Sequence, residues 1–176
     1  MKRTALLLVA VAAVAGLVAF TAPAPGPADQ QAAPVFGIKI YPRYRDWRLV
    51  SVAHEEGNLN DLRAILGNDI AIEAYRAGKL PFPDGTVIAR LAWSYVPSEE
   101  NDKAFGRNQS FVPGLQPEWY LQFMVKDSKK YAATGGWGFA QFDKGGKPAG
   151  EAQHKTCFPC HEPAKASDLV FTRYAP

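Results

Sequence analysis

Apolar and polar residues alternate along four stretches of the chain, which is the two-residue period of a β-strand with one buried face. These stretches are residues 48–54, 86–96, 119–126 and 136–143. Within them the alternation places Arg90 on the same strand face as Ile88, and Gln122 on the same face as Met124. Because the stretches are short and Gly- and Pro-rich segments separate them, the pattern predicts antiparallel strands joined by turns.

Helical periodicity is confined to short segments. Residues 71–77 predict a helix that ends at Gly78, and residues 59–66 predict a further helical turn with Asn58 or Asn60 as its N-cap. Residues 81–85 predict a tight turn, and residues 144–156 predict a loop. No segment has the long apolar stripe of a four-helix bundle. The predicted fold class is therefore α+β, mainly an antiparallel β-sheet with short helices.

The N-terminus has the composition of a secretory signal peptide. Lys2 and Arg3 precede an apolar run over residues 4–20, and a Pro-rich stretch with small residues follows. This pattern predicts cleavage after Ala28, a single domain over residues 29–176 and export to the periplasm. The alternative is an uncleaved membrane anchor, although the apolar run is at the short end of the roughly 17–25 residues that span a bilayer.

Charge adds little to this picture. The chain has 20 basic and 17 acidic residues, and loss of Lys2 and Arg3 with the leader would leave 18 against 17, a net charge of about +1. No basic run or interleaved aromatic pattern is present, so the sequence does not indicate a nucleic-acid partner.

The two cysteines of the chain, Cys157 and Cys160, are followed directly by His161. The Cys-x-x-Cys-His spacing is typical of covalent c-type haem attachment. Two thioethers would hold the porphyrin, and the imidazole of His161 would bind the iron on the proximal side. Haem c is attached outside the cytoplasm, so this motif and the predicted signal peptide indicate the same compartment. We expect one haem c near the C-terminus.

The cysteine pair is also compatible with two other kinds of site. A zinc site could combine His154 with Cys157, Cys160 and His161, although adjacent residues 160 and 161 fit poorly around one tetrahedral ion. A dithiol redox site would place the pair at a helix N-terminus after a strand, whereas a predicted loop precedes it here.

Four stretches resemble the cytochrome P460 family, which includes the β-sheet cytochromes c′. They are residues 44–47, residues 82–87, residues 125–129, and the haem motif at 156–161 with the tail at 168–173. The resemblance covers essentially the whole mature chain. It implies a small periplasmic haem c protein with a sheet-rich fold, a five-coordinate iron that is open on the distal side, and a homodimer.

Two candidate catalytic positions depart from the hydroxylamine-oxidising members of that family. Those members carry a lysine that bonds covalently to the porphyrin where this chain has Arg90, and a distal glutamate where it has Gln122. A guanidinium is a poor nucleophile, and an amide cannot act as a general base. The resemblance therefore implies donors above a bound ligand, without the additional cross-link. The other interpretation pairs Arg90 with a haem propionate or a surface carboxylate and leaves Gln122 at the rim.

The sequence thus predicts an exported monohaem cytochrome that binds or redox-processes small nitrogen oxides such as nitric oxide or hydroxylamine. It would work with a periplasmic redox partner. The alternative is an electron-transfer cytochrome with a six-coordinate haem, which would need Met124 or His54 as the sixth ligand.

Overall fold

The computed structural model of the protein describes residues 36–175, and within them six strands form one antiparallel sheet. Strands β1, β2, β3, β5 and β6 lie side by side in that order, and β4 pairs with the far end of β3. The strands are β1 Arg48–Glu55, β2 Asp61–Gly67, β3 Val87–Pro97, β4 Phe111–Pro113, β5 Leu121–Lys126 and β6 Trp137–Phe142. The predicted signal peptide, residues 1–28, lies outside the described residues.

Four short α-helices and three 3₁₀ segments complete the described part. The α-helices are α1 Asp69–Arg76, α2 Glu99–Phe105, α3 Glu151–His154 and α4 Cys157–His161, and the 3₁₀ segments are Tyr44–Asp46, Ala132–Thr134 and Glu162–Ser167. Asn68 caps α1, since its Oδ1 accepts hydrogen bonds from the backbone N–H groups of Ala71 at 3.0 Å and Val87 at 3.1 Å. Across residues 36–175, none of the helices combines the length and the apolar character that a bilayer crossing requires.

The sheet has an apolar cluster on each face. One face carries Ile88 and Phe139 and packs against α1, α4 and the C-terminal tail; we call it the motif face because Cys157 belongs to its cluster. The other face carries Leu91 and Phe123 and packs against the segment before β1. The α+β, mainly antiparallel fold predicted from the sequence is confirmed, with the cysteine motif near the C-terminus.

Residues 48–54, 86–96, 119–126 and 136–143 correspond to β1, β3, β5 and β6 with shifts of a few residues at their ends. The helix predicted at residues 59–66 is wrong, because this segment forms β2 between β1 and β3. Its leucines, alanine and arginine favour a helix in isolation, but pairing on both edges overrides that preference. The predicted loop at 144–156 contains the short helix α3.

Candidate functional site

Helix α4 carries the whole Cys-x-x-Cys-His motif against the motif face of the sheet. Cys157 begins the helix and is buried, whereas Cys160 is exposed one helical turn later. Residues three apart lie on the same side of a helix, so both sulfurs are available to one planar group. The Cys157 Sγ accepts a contact from Gln141 Nε2 at 3.9 Å and donates to the carbonyl of Gln153 at 3.9 Å.

The imidazole of His161 is held in one orientation and one tautomer. Its Nδ1 lies 2.8 Å from the carbonyl oxygen of Leu169, and a carbonyl only accepts, so Nδ1 carries the hydrogen. The ring also packs between Phe139 and Phe171, with both centroid distances 5.1 Å. Burial lowers the pKa of His161, and the hydrogen bond to Leu169 partly opposes this. A neutral imidazole with the Nε2 lone pair unused is the form that binds a metal.

The carbonyl that orients His161 belongs to an unusual turn. Asp168 and Leu169 both have positive φ, 53° and 65°, in the left-handed region that side chains other than glycine seldom adopt. The carboxylate of Asp168 accepts from Lys126 Nζ at 2.8 and 2.9 Å and from the backbone N–H of Phe82 at 2.8 Å. The turn is therefore tied to the end of β5 by a buried ion pair.

The buried imidazole of His154 faces the backbone of β6. Its Nε2 accepts the backbone N–H of Gln141 at 3.1 Å, and burial lowers the pKa of the imidazole. In the part of the chain that the structure describes, no three His, Cys, Asp or Glu side chains are arranged to hold a metal ion. The zinc site that would combine His154 with the motif is therefore wrong, because this imidazole faces the backbone of β6.

Burial also disfavours dithiol chemistry. It raises the pKa of the Cys157 thiol to about 11, despite the contact from Gln141. Redox-active Cys-x-x-Cys sites need the opposite shift, because the thiolate is the reactive form.

A polar row crosses the motif face at the level of Cys157. The strand register pairs Arg90 of β3 with Gln122 of β5, and Gln122 with Gln141 of β6. Since Gln141 contacts the sulfur of Cys157, the row begins at the motif and runs across the sheet. The structure therefore brings the two candidate residues Arg90 and Gln122 together as cross-strand neighbours on the face that carries the motif.

Ion pairs fix the far end of this row. Arg90 Nη2 lies 2.6 Å from Asp61 Oδ2, and Arg63 Nε lies 2.6 Å from Asp61 Oδ1, while Arg63 also pairs with Glu55. Asp61 is 2% exposed, and the Arg90 side chain is 16% exposed. Burial and the nearby Arg63 lower the pKa of Arg90, and the Asp61 carboxylate opposes them. Its Nε is buried and has no hydrogen-bond partner among the described residues.

The two residues named as a sixth ligand are in different places. His54 pairs across β1 and β2 with Leu62, which pairs with Trp93, so it lies on the face opposite to the motif. There it stacks on Tyr95 with a centroid distance of 4.0 Å. Met124 lies on the motif face as the direct cross-strand neighbour of Phe139.

Four residues that support this site are not predicted from the sequence. Asp61 lies in the segment that the sequence predicts as a helix, so strand alternation does not indicate which face of the sheet carries its side chain. Gln141 lies two residues after Phe139 in β6, so the strand alternation predicts the face of its side chain but not its contact with Cys157. Lys126 and Asp168 are far apart in sequence, so no local sequence pattern predicts that they form an ion pair.

The donor set fits covalently bound haem c. Two thiols one helical turn apart can form thioethers, and the neutral imidazole of His161 has Nε2 available for iron. Two surface clefts, of about 640 and 230 Å³, have no residue of the Cys157–His161 motif in their linings.

Comparison with known proteins agrees with this chemistry. The sequence model of the family described as Cytochrome P460 matches residues 42–172, which include every strand and the complete motif. No curated protein matches the chain. Because the match covers most of the chain, the protein belongs to the cytochrome P460 family and is a haem c protein to which Cys157 and Cys160 offer the attachment thiols.

Proposed function

We propose that this protein is an exported monohaem cytochrome whose iron keeps an open distal position for small nitrogen oxides such as nitric oxide and hydroxylamine. Membership of the cytochrome P460 family indicates a haem c protein that acts on nitrogen compounds. The observation that carries the finer proposal is the row of Arg90, Gln122 and Gln141, which brings hydrogen-bond donors to the motif face beside Cys157.

In this proposal Cys157 and Cys160 form the two thioethers, and His161 is the proximal ligand. When bound, the haem would supply an iron that can exchange a small ligand. The Leu169 carbonyl keeps the hydrogen of His161 on Nδ1 and presents Nε2 to the metal. Phe139 and Phe171 pack against the ring and restrict its rotation.

Arg90 and Gln122 are the proposed distal residues. Asp61 accepts a hydrogen bond from one N–H group of Arg90. The buried Nε–H is among the Arg90 donors that are left for a ligand. Gln122 can donate through its amide but cannot accept a proton from a substrate. The one buried carboxylate nearby, Asp61, is already shared by two guanidiniums. These features favour reversible capture of a small ligand over oxidation of hydroxylamine.

Electron transfer through a six-coordinate haem finds less support. His54 lies on the opposite face of the sheet. Met124 pairs with Phe139, whose ring contacts His161, which favours a packing role for its side chain.

Absorption spectra of the exported holoprotein test the proposal directly. Ferric and ferrous spectra are recorded before and after addition of nitric oxide, carbon monoxide and hydroxylamine. We expect a high-spin ferrous spectrum that shifts with the gases and no strongly red-shifted Soret band. A low-spin spectrum that does not change with the gases would establish electron transfer. A strongly red-shifted Soret band would show a haem cross-link and favour the hydroxylamine oxidase. N-terminal sequencing is expected to begin at Asp29.

The variant Arg90→Leu separates a distal role from pairing with a haem propionate. A hydrogen bond to a charged group contributes about 1.5–3 kcal/mol, so dissociation of nitric oxide should accelerate about tenfold or more. Asp61 keeps Arg63 as a partner, which preserves the fold. Arg107→Leu removes the same charge from an exposed position and serves as the control. Equal dissociation rates in the two variants would exclude Arg90 from the ligand pocket.

The periplasmic location, the redox partner and the homodimer belong to this proposal through the family resemblance. Sedimentation of the holoprotein checks the homodimer, and fractionation of expressing cells checks the location.

A further inference from the structure

We infer that Lys126 and Asp168 are positioning residues for His161: their buried ion pair fixes the left-handed turn whose Leu169 carbonyl orients the imidazole. The inference rests on the proposed role of His161 as the proximal ligand. It assigns a task to a pair that lies outside the attachment motif and far from it in sequence.

The first support is the backbone of the turn. Asp168 and Leu169 are consecutive non-glycine residues at φ 53° and 65°, and Leu169 is a branched residue whose side chain is buried. Such conformations persist where the surroundings determine them, and they concentrate at functional sites. Here the conformation directs the Leu169 carbonyl at Nδ1 of His161, 2.8 Å away.

The second support is the way the turn is attached to the sheet. The Asp168 carboxylate receives Lys126 Nζ through both oxygens, and one oxygen also accepts the backbone N–H of Phe82. Lys126 is the last residue of β5, and Phe139 of the adjacent strand packs on the His161 ring. The acceptor and the packing partner of the imidazole are therefore both positioned by the same pair of strands.

The third support is the burial of the pair. Lys126 is 5% exposed, and the Asp168 side chain is 13% exposed. The Lys126 ammonium also donates to the carbonyl of Gly135 and lies 5.0 Å from the centre of the Trp137 ring. Apolar residues of similar volume often stabilise a protein as well as a buried ion pair does. A geometric task explains the pair better than stability alone does.

The consequence for the iron follows from the ligand. An acceptor on the free ring nitrogen orients an imidazole ligand and raises its basicity, and loss of such an outer contact typically costs 10- to 100-fold in metal affinity or activity. A more basic ligand favours the ferric state. Loosening the turn should therefore weaken the preference for ferric over ferrous iron.

The experiment measures the reduction potential and the iron–histidine stretching frequency of holoprotein variants K126M, D168N and the double variant K126M/D168N. Removing a cation alone would lower the potential, and removing an anion alone would raise it. If the pair positions His161, all three variants should instead raise the potential, with about a tenfold loss of ferric preference, equivalent to about 59 mV for one electron. The stretch should move to lower frequency in all three.

Two controls sharpen the result. K126R keeps the cation and should stay near the wild-type values, and K165M removes the exposed Lys165–Glu162 pair from the 3₁₀ segment before the turn and should change neither readout. The inference would be overturned if the reduction potential fell in K126M and rose in D168N. It would also be overturned if the variants were less stable but kept the wild-type potential and stretching frequency. If K126M does not accumulate, the double variant carries the test, because it removes both charges and an electrostatic effect alone would leave its potential near the wild-type value. Absence of an iron–histidine stretch in the ferrous wild type would refute the proposed open iron site, whereas the potentials of the variants would still test the ion pair.

Discussion

The ion pairs around Asp61 give a stability prediction that can be worked from distances and burial. Asp61 accepts from Arg90 and Arg63 at 2.6 Å each and is 2% exposed, while both guanidinium side chains are 16% exposed. Asp61→Asn keeps the shape of the side chain and leaves two cations close together. Loss of one partner of a buried pair costs about 3–5 kcal/mol. Because the arginines keep some solvent contact and Glu55 still pairs with Arg63, we expect about 2–4 kcal/mol.

Urea unfolding of the holoprotein measures this difference. With a slope near 2 kcal/mol per molar urea, the midpoint should fall by about 1–2 M. The matched control is Asp46→Asn, which breaks the exposed pair with Arg43 at 2.9 Å and should cost less than about 1 kcal/mol. If the two variants have equal midpoints, the Asp61 cluster does not stabilise the fold and the reasoning is refuted. Arg90→Met in the Asp61→Asn background should recover part of the loss, since it removes one of the uncompensated cations.

Two further predictions concern buried positions. His154 has a folded-state pKa below its usual 6.5, so the unfolded chain takes up a proton first as the pH falls. Its contribution to stability is complete above about pH 6.5, declines below it and levels off under the folded-state pKa, with a slope of at most about 1.4 kcal/mol per pH unit. His154→Gln should flatten the urea midpoint between pH 7 and 5, whereas the exposed control His54→Gln should keep the wild-type slope. Gly138→Ala would place a Cβ 2.5 Å from the buried ring of Tyr131 and should cost about 1–3 kcal/mol in thermal unfolding. Gly150→Ala meets no atom within 4 Å and should cost less, and an equal loss in both would contradict the packing argument.

The strands that sequence reasoning found have alternating residues and one apolar face, as in β3 and β5. The elements it missed lack that signal. Helix α2 buries none of its residues, so it shows no apolar period, and β4 is three residues long. The sequence of β2 favours a helix because helix propensity depends on local residues, whereas pairing with β1 and β3 depends on distant ones.

The candidate site likewise has a part that the sequence predicts and a part that it does not. Cys157, Cys160 and His161 are adjacent in sequence, and thioether attachment depends on spacing, so the motif could be predicted without a fold. The alternation also predicted which strand face carries Arg90 and Gln122. Their direct pairing follows from the register of β3 against β5, which one sequence does not specify.

If the proposed roles hold, covalent attachment and the tuning of the iron depend on different parts of the chain. Attachment uses the local geometry of α4, whereas Arg90 depends on Asp61 of β2 and His161 depends on the turn that Lys126 of β5 holds. Variants such as Asp61→Asn and Lys126→Met should consequently retain haem through denaturing electrophoresis even where stability or reduction potential has changed. Loss of covalent haem in these variants would mean that the sheet contributes to attachment itself, because neither residue contacts Cys157 or Cys160.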